Sequence, residues 1–135
     1  MATDGSTIML SSFRGKQHVI LYFYPKDDTP GCTREACSFR DHAEAFRRSD
    51  TVVLGVSVDS VASHRRFTDK FQLPFPLLAD EQKTICRRYG TLGLLGFAQR
   101  ATFVIGKDGR ILQIFPQVQV DGHVQEVLAA LGSQP

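Results

Sequence analysis

The stretch His18-Val-Ile-Leu-Tyr-Phe-Tyr-Pro-Lys-Asp-Asp-Thr-Pro-Gly-Cys-Thr-Arg-Glu-Ala-Cys37 decides how the chain is read. Its first seven residues form a near-continuous apolar run that stops at Pro25, the pattern of a strand buried on both faces. A polar loop follows. Thr29 is a good N-cap and Pro30 suits the first helical position, so a helix begins there and Cys32 falls in its first turn. Unpaired N–H groups and the positive end of the helix dipole stabilise a thiolate at that place. A strand that passes through a polar loop into a helix is also where α/β domains gather their active sites. Taken alone, Cys32 could equally be a small core residue, the common fate of a free cysteine.

Outward from this stretch the chain alternates. Thr51-Val-Val-Leu-Gly-Val-Ser-Val58 reads as a second buried strand, and Pro76-Leu-Leu-Ala79 as a shorter one. Ala101–Gly106 and Arg110–Phe115 flank Lys107-Asp-Gly109, whose Asp-Gly pair signals a hairpin turn. Between the strands the period becomes helical. Ala36, Phe39, Ala43 and Phe46 share one face of a helix running from roughly Pro30 to Arg48. Ser60 to Phe71 and Glu81 to Tyr89 read as two more helices, the second capped by Asp80. Val124, Val127, Leu128 and Leu131 form the stripe of a last helix with Asp121 as its cap. The order predicts an α/β domain over residues 1–135, with a central mixed sheet, helices on both faces and an antiparallel hairpin at one edge.

The composition narrows the function. The chain has 135 residues, 42% hydrophobic and 22% charged, enough for one core without staples. A net charge of +2 with interspersed signs argues against a nucleic-acid binder. No apolar run reaches the length of a membrane span and no signal-peptide pattern opens the chain, so the expectation is a cytoplasmic protein. Three cysteines and four scattered histidines, with a single close pair, Cys32-x4-Cys37, and no second ligand pair to complete a site, argue against a disulfide framework and a structural zinc site. Neither a phosphate loop nor a dinucleotide fingerprint is present.

Pro25-x-x-x-Thr29-x-x-Cys32 matches the active-site pattern of the peroxiredoxins. Phe23-Tyr-Pro-Lys-Asp-Asp-Thr-Pro-Gly-Cys-Thr33 resembles that of the peroxiredoxin Q branch, also called bacterioferritin comigratory protein. The likeness extends through Val53-Leu-Gly-Val-Ser57, Leu73-Pro-Phe-Pro-Leu-Leu78, Arg100-Ala-Thr-Phe103 and Val120-Asp-Gly-His123. The resemblance implies a thioredoxin-like fold and a peroxidase that reduces hydrogen peroxide and organic hydroperoxides through a cysteine sulfenic acid. By position it makes Cys32 the peroxidatic cysteine, with Pro25, Thr29 and Arg100 completing the pocket and Glu35 orienting the arginine. It also implies no metal, haem or flavin, a thioredoxin-type dithiol as reductant, and a monomer. Members carry a longer first hairpin than the one that Met1-Ala-Thr-Asp-Gly5 leaves room for, so that hairpin is expected to be partly missing.

These residue types suit the chemistry. A thiolate attacks one peroxide oxygen while charge grows on the other, so the thiolate is expected to be exposed. A permanently cationic, forked guanidinium such as Arg100 stabilises both sulfur and oxyanion. The Thr29 hydroxyl can accept from the peroxide or donate to the sulfur, and Pro25 walls the site without a competing N–H. Cys37 lies five residues after Cys32, an offset of roughly 140° and about 7.5 Å along a continuous helix. A disulfide needs Cα atoms within about 6.8 Å, so bridging requires the helix to unwind, which Gly31 eases. The peroxiredoxin Q resemblance supports Cys37 as the resolving cysteine. Cys86 reads as a passive thiol, His123 as a helix-start residue, and His18, His42 and His64 as solvent-facing or structural. Two rivals remain: a thiol–disulfide oxidoreductase, disfavoured by C-x4-C where such sites use C-x-x-C, and a non-enzymatic holdase or binding module.

Overall fold

Strand β1 (His18–Phe23) lies at the centre of a five-stranded sheet of order β3-β2-β1-β4-β5. The computed structural model describes residues 2–3 and 5–132. β2 (Thr51–Ser57) runs parallel to β1, with Ile20 opposite Val53, and β3 (Leu77–Ala79) runs parallel to β2. β4 (Ala101–Ile105) pairs antiparallel with the other side of β1, placing Phe23 opposite Ala101. β5 (Ile111–Phe115) completes the hairpin, whose turn has Gly109 at φ +86. The mixed sheet and antiparallel edge are as the sequence predicts.

The strand alternation divides the core in two. Ile20, Tyr22 and Tyr24 face one layer, while Val19, Leu21 and Phe23 face the other. The first layer receives Ala36 and Phe39 of α1 (Pro30–Asp41), Phe46 of α2 (Ala43–Arg48), Phe67 of α3 (Val61–Phe71), and Val124 and Val127 of α5 (His123–Gly132). The second holds α4 (Thr84–Arg88), a 3-10 turn at Leu10–Phe13 and the buried Ala2 and Ala98. Among the described residues helices cover both faces, four on one and one on the other.

Two predicted helix boundaries and one predicted cap change. The helix expected over 30–48 breaks at His42, which has ψ 14 and caps α1 with its own N–H. Its Nδ1 sits 2.8 Å from the Ser38 carbonyl, so the ring competes for the group that would continue the helix. Phe39 and Phe46 still meet across the break, their tilted rings 5.7 Å apart. The helix expected from Glu81 begins at Thr84, because Lys83 has φ +62. Asp80 nevertheless accepts the Ile85 and Cys86 N–H groups, at 3.1 and 2.8 Å. In α5 the first bonds run to the Val120 and Gly122 carbonyls, and Asp121 pairs with Arg34 of α1 at 3.5 Å.

At the chain start, the Asp-Gly turn expected at 4–5 rests partly on Asp4, outside the described residues. Ala2 bridges Leu78, and the Thr3 hydroxyl accepts the Leu77 N–H at 2.9 Å along the outer edge of β3.

Candidate active site

β1 and β4 are neighbours, so the residues at the end of one lie beside those at the start of the other. Pro25 and Thr29 stand at the two ends of the loop joining β1 to α1, and Arg100 immediately precedes β4. Thr29 is the N-cap in extended conformation, Pro30 takes the first helical position, and Cys32 falls in the first turn. Arg100 therefore reaches Cys32. Its Nη2 lies 3.2 Å from Sγ, and its Nη1 donates to Glu35 Oε1 at 2.6 Å. One guanidinium fork thus spans a cysteine and a carboxyl one helical turn apart on α1. The family resemblance implied one pocket for Cys32, Glu35 and Arg100, and the structure brings the three together.

Two expectations change. Cys32 is not exposed; it is 1% accessible, because its face of α1 packs on Tyr22 and Tyr24 and Arg100 lies across the sulfur. The Thr29 hydroxyl does not cap the helix. It donates to the Lys26 carbonyl at 2.9 Å, which commits its hydrogen and leaves its lone pairs to accept.

Gly31 has a second reason beyond helix flexibility. A Cβ there would lie 3.2 Å from Arg100 Nη2, the nitrogen that touches Cys32. Gly31→Ala therefore disturbs the guanidinium as well as stiffening the helix start.

Glu35 is 1% accessible, and burial pushes its carboxyl up to about 7 against the pull of Arg100. Burial prevails because only Oε1 is paired; among the described residues Oε2 has no hydrogen-bond partner. Between pH 4.5 and about 7 the folded protein holds a proton here that the unfolded chain releases. Stability contributed by this group therefore falls as pH climbs through that window. Glu35→Gln should flatten the decline, measured as urea midpoints at about pH 5 and about pH 8. Equal changes in both proteins would remove Glu35 as the titrating group.

Cys37 sits half-buried on the same unbroken α1, and all three cysteines are free thiols. Cys86 lies on α4 in the opposite core layer; burial, with Asp80 beside it, pushes its thiol up to about 12. His123 starts α5 as expected, fully buried with Nε2 2.8 Å from the Thr102 hydroxyl. Sequence reasoning gave Asp27 no role. It lies 2.7 Å from the buried His64, and the only available signal was a histidine on the buried side of α3.

Residues 1–114 match the AhpC/TSA family. The chain is 45% identical over 139 residues to a putative peroxiredoxin bcp of Coxiella burnetii, covering 95% of this chain and 89% of that protein. It is 43% identical over 135 residues to peroxiredoxin Bcp of Bacillus subtilis, covering 94% and 85%. Among solved structures, peroxiredoxin Q of Xanthomonas campestris superposes with a TM-score of 0.94 at 35% identity, over 98% of this chain and 88% of that one. The fold is thus the thioredoxin-like arrangement of the peroxiredoxins. With its arginine-held cysteine at a helix start, the chain belongs to the AhpC/TSA family, in the Bcp/peroxiredoxin Q branch of thiol-dependent peroxidases.

Proposed function

We propose that Cys32 is the thiol that reacts with hydrogen peroxide and organic hydroperoxides, and that Cys37 resolves it. The observation that carries this assignment is the 3.2 Å contact between Arg100 Nη2 and Cys32 Sγ. The Cys32 thiolate attacks one peroxide oxygen; the S–O bond forms, the O–O bond breaks, and the other oxygen leaves as water or alcohol after taking a proton. Arg100 carries the charge at sulfur and then on the departing oxygen. Glu35 orients Arg100, the Thr29 lone pairs accept a hydrogen bond from the peroxide, and Pro25 walls the pocket. The Cys37 thiol then displaces water from the sulfenic acid and an S–S bond forms. A dithiol of the thioredoxin type reduces that bond, returning both thiols. No metal or organic cofactor enters this sequence.

The reading includes a monomer working in the cytoplasm. Three unpaired cysteines suit a reducing compartment, and no described helix is long and apolar enough to cross a membrane.

Mass spectrometry after one equivalent of peroxide tests the assignment, with a Cys32–Cys37 disulfide expected. Because α1 is continuous through both cysteines, the oxidised form should lose amide protection between Gly31 and Phe39 and regain it on reduction. Cys37→Ser should react once, stall as the sulfenic acid and over-oxidise more readily. Equal protection in both forms, with that disulfide confirmed, would contradict the unwinding step. Insulin reduction faster than peroxide consumption would favour the oxidoreductase reading.

A further inference from the structure

Behind the loop that leads to Cys32 lies a closed set of polar side chains with no role in the steps above. Asp27, within that loop, is 7% accessible, and His64 on α3 is fully buried. His64 Nε2 lies 3.0 Å from the Leu78 carbonyl on β3. A carbonyl only accepts, so this nitrogen carries hydrogen. Nδ1 lies 2.7 Å from Asp27 Oδ2, a contact that requires one proton held between the two groups. The Tyr24 and Ser63 hydroxyls donate to the same carboxyl at 2.5 and 2.8 Å. Asp59 Oδ2 accepts the Ser57 hydroxyl at 2.6 Å and the Asp27 backbone N–H at 2.9 Å.

Asp27, Asp59 and His64 stand close enough together to hold a metal ion. Both ring nitrogens and both Asp27 oxygens are already engaged, however, so the set is closed on itself. What it grips is the loop. Asp28 has φ +59, a left-handed conformation uncommon in a residue with a Cβ, although Asp tolerates it better than most. The restraints lie on either side: Asp27 is fixed through side chain and N–H, and Lys70 of α3 pairs with Asp28 at 2.8 Å. Thr29, next in the chain, has its hydroxyl turned to Lys26. A buried ionic set of this kind adds little net stability, so geometry is the better reason for its presence.

We propose that His64, Asp27 and Asp59 form a clamp that positions the peroxide pocket. Anchored on α3, β3 and the segment after β2, it holds the left-handed turn at Asp28. That turn sets where the Thr29 lone pairs and the first turn of α1 meet the peroxide at Cys32. The three are positioning residues, and the inference rests on Cys32 being the reacting thiol.

The test compares two reactions of Cys32 in the reduced full-length protein: oxidation by hydrogen peroxide in stopped flow, and alkylation by iodoacetamide followed by mass. Alkylation needs the thiolate but no peroxide pocket. Asp59→Ala and His64→Gln should lower the peroxide rate constant about tenfold or more while alkylation stays within about twofold. Asp59→Asn, whose carbonyl oxygen still accepts the Asp27 N–H, should recover most of the loss. If His64→Gln does not fold, the two Asp59 variants carry the comparison alone. An unchanged peroxide rate in folded Asp59→Ala, a parallel fall in both reactions, or Asp59→Asn no better than Asp59→Ala would overturn the clamp. Finding that peroxide oxidises a different cysteine in the wild type would instead overturn the assignment of Cys32, and the clamp with it.

Discussion

Cys32→Ser is expected to abolish peroxidase turnover, and Cys86→Ser to leave it close to wild type. The two thiols differ in what surrounds them, not in how deeply they lie; both are buried. Cys32 sits in the first turn of α1 with a guanidinium at 3.2 Å, a fixed cation that can meet the charge growing on the departing oxygen. Cys86 has an apolar layer and the Asp80 carboxylate, and its thiol sits near 12, so it stays protonated and unreactive at neutral pH. A hydroxyl at position 32 keeps the size of the side chain but is a far weaker nucleophile. Turnover of Cys32→Ser at the wild-type rate would overturn the assignment, and a large loss in Cys86→Ser would bring a third cysteine into the cycle. The measurement is peroxide consumption coupled to a dithiol reductant.

Arg100→Ala should slow sulfenic acid formation by about two to three orders of magnitude, the range for removing a preorganised charge-stabilising donor. Arg100→Lys should fall between, since an ammonium keeps the charge but cannot span Cys32 and Glu35 with two arms of one plane. Arg100→Ala should also destabilise the fold, because it strands the buried Glu35 without its cation. Adding Glu35→Gln separates the two effects: the thermal midpoint should recover while the rate does not. Recovery of both would mean that Arg100 acts on Cys32 only through the fold; recovery of neither would mean that a stranded Glu35 is not what destabilises Arg100→Ala. Stopped-flow oxidation and thermal denaturation of the three variants decide it.

The parts of the fold that can be read from the sequence are those fixed by local physics. β1 is an apolar run ended by proline, and its burial on both faces follows from that run. The placement of Cys32 follows from Thr29 and Pro30, two residues with strong positional preferences. The break at His42 could not be read, because it depends on one ring nitrogen finding the Ser38 carbonyl while the apolar spacing runs on into Phe46. The joining of Arg100 to Cys32 spans 68 positions and depends on β4 pairing with β1; only the family resemblance pointed to it. The tie between Asp27 and His64 spans 37 positions with no motif that marks it, so only the folded chain reveals it.

The continuity of α1 has a consequence for redox potential. The proposed disulfide between Cys32 and Cys37 would form only at the expense of helix, so the oxidised protein would carry the free energy of the lost turns. Reduction returns that energy as the helix reforms. For a two-electron couple, about 1.4 kcal/mol of helix stability raises the reduction potential by about 30 mV. Whatever strengthens α1 therefore makes the disulfide a stronger oxidant, more completely reduced by the same dithiol pool. In the proposed cycle the helix that must open for the cysteines to meet would also drive them apart again, and its stability would set how much of the enzyme waits in the reduced form for the next peroxide.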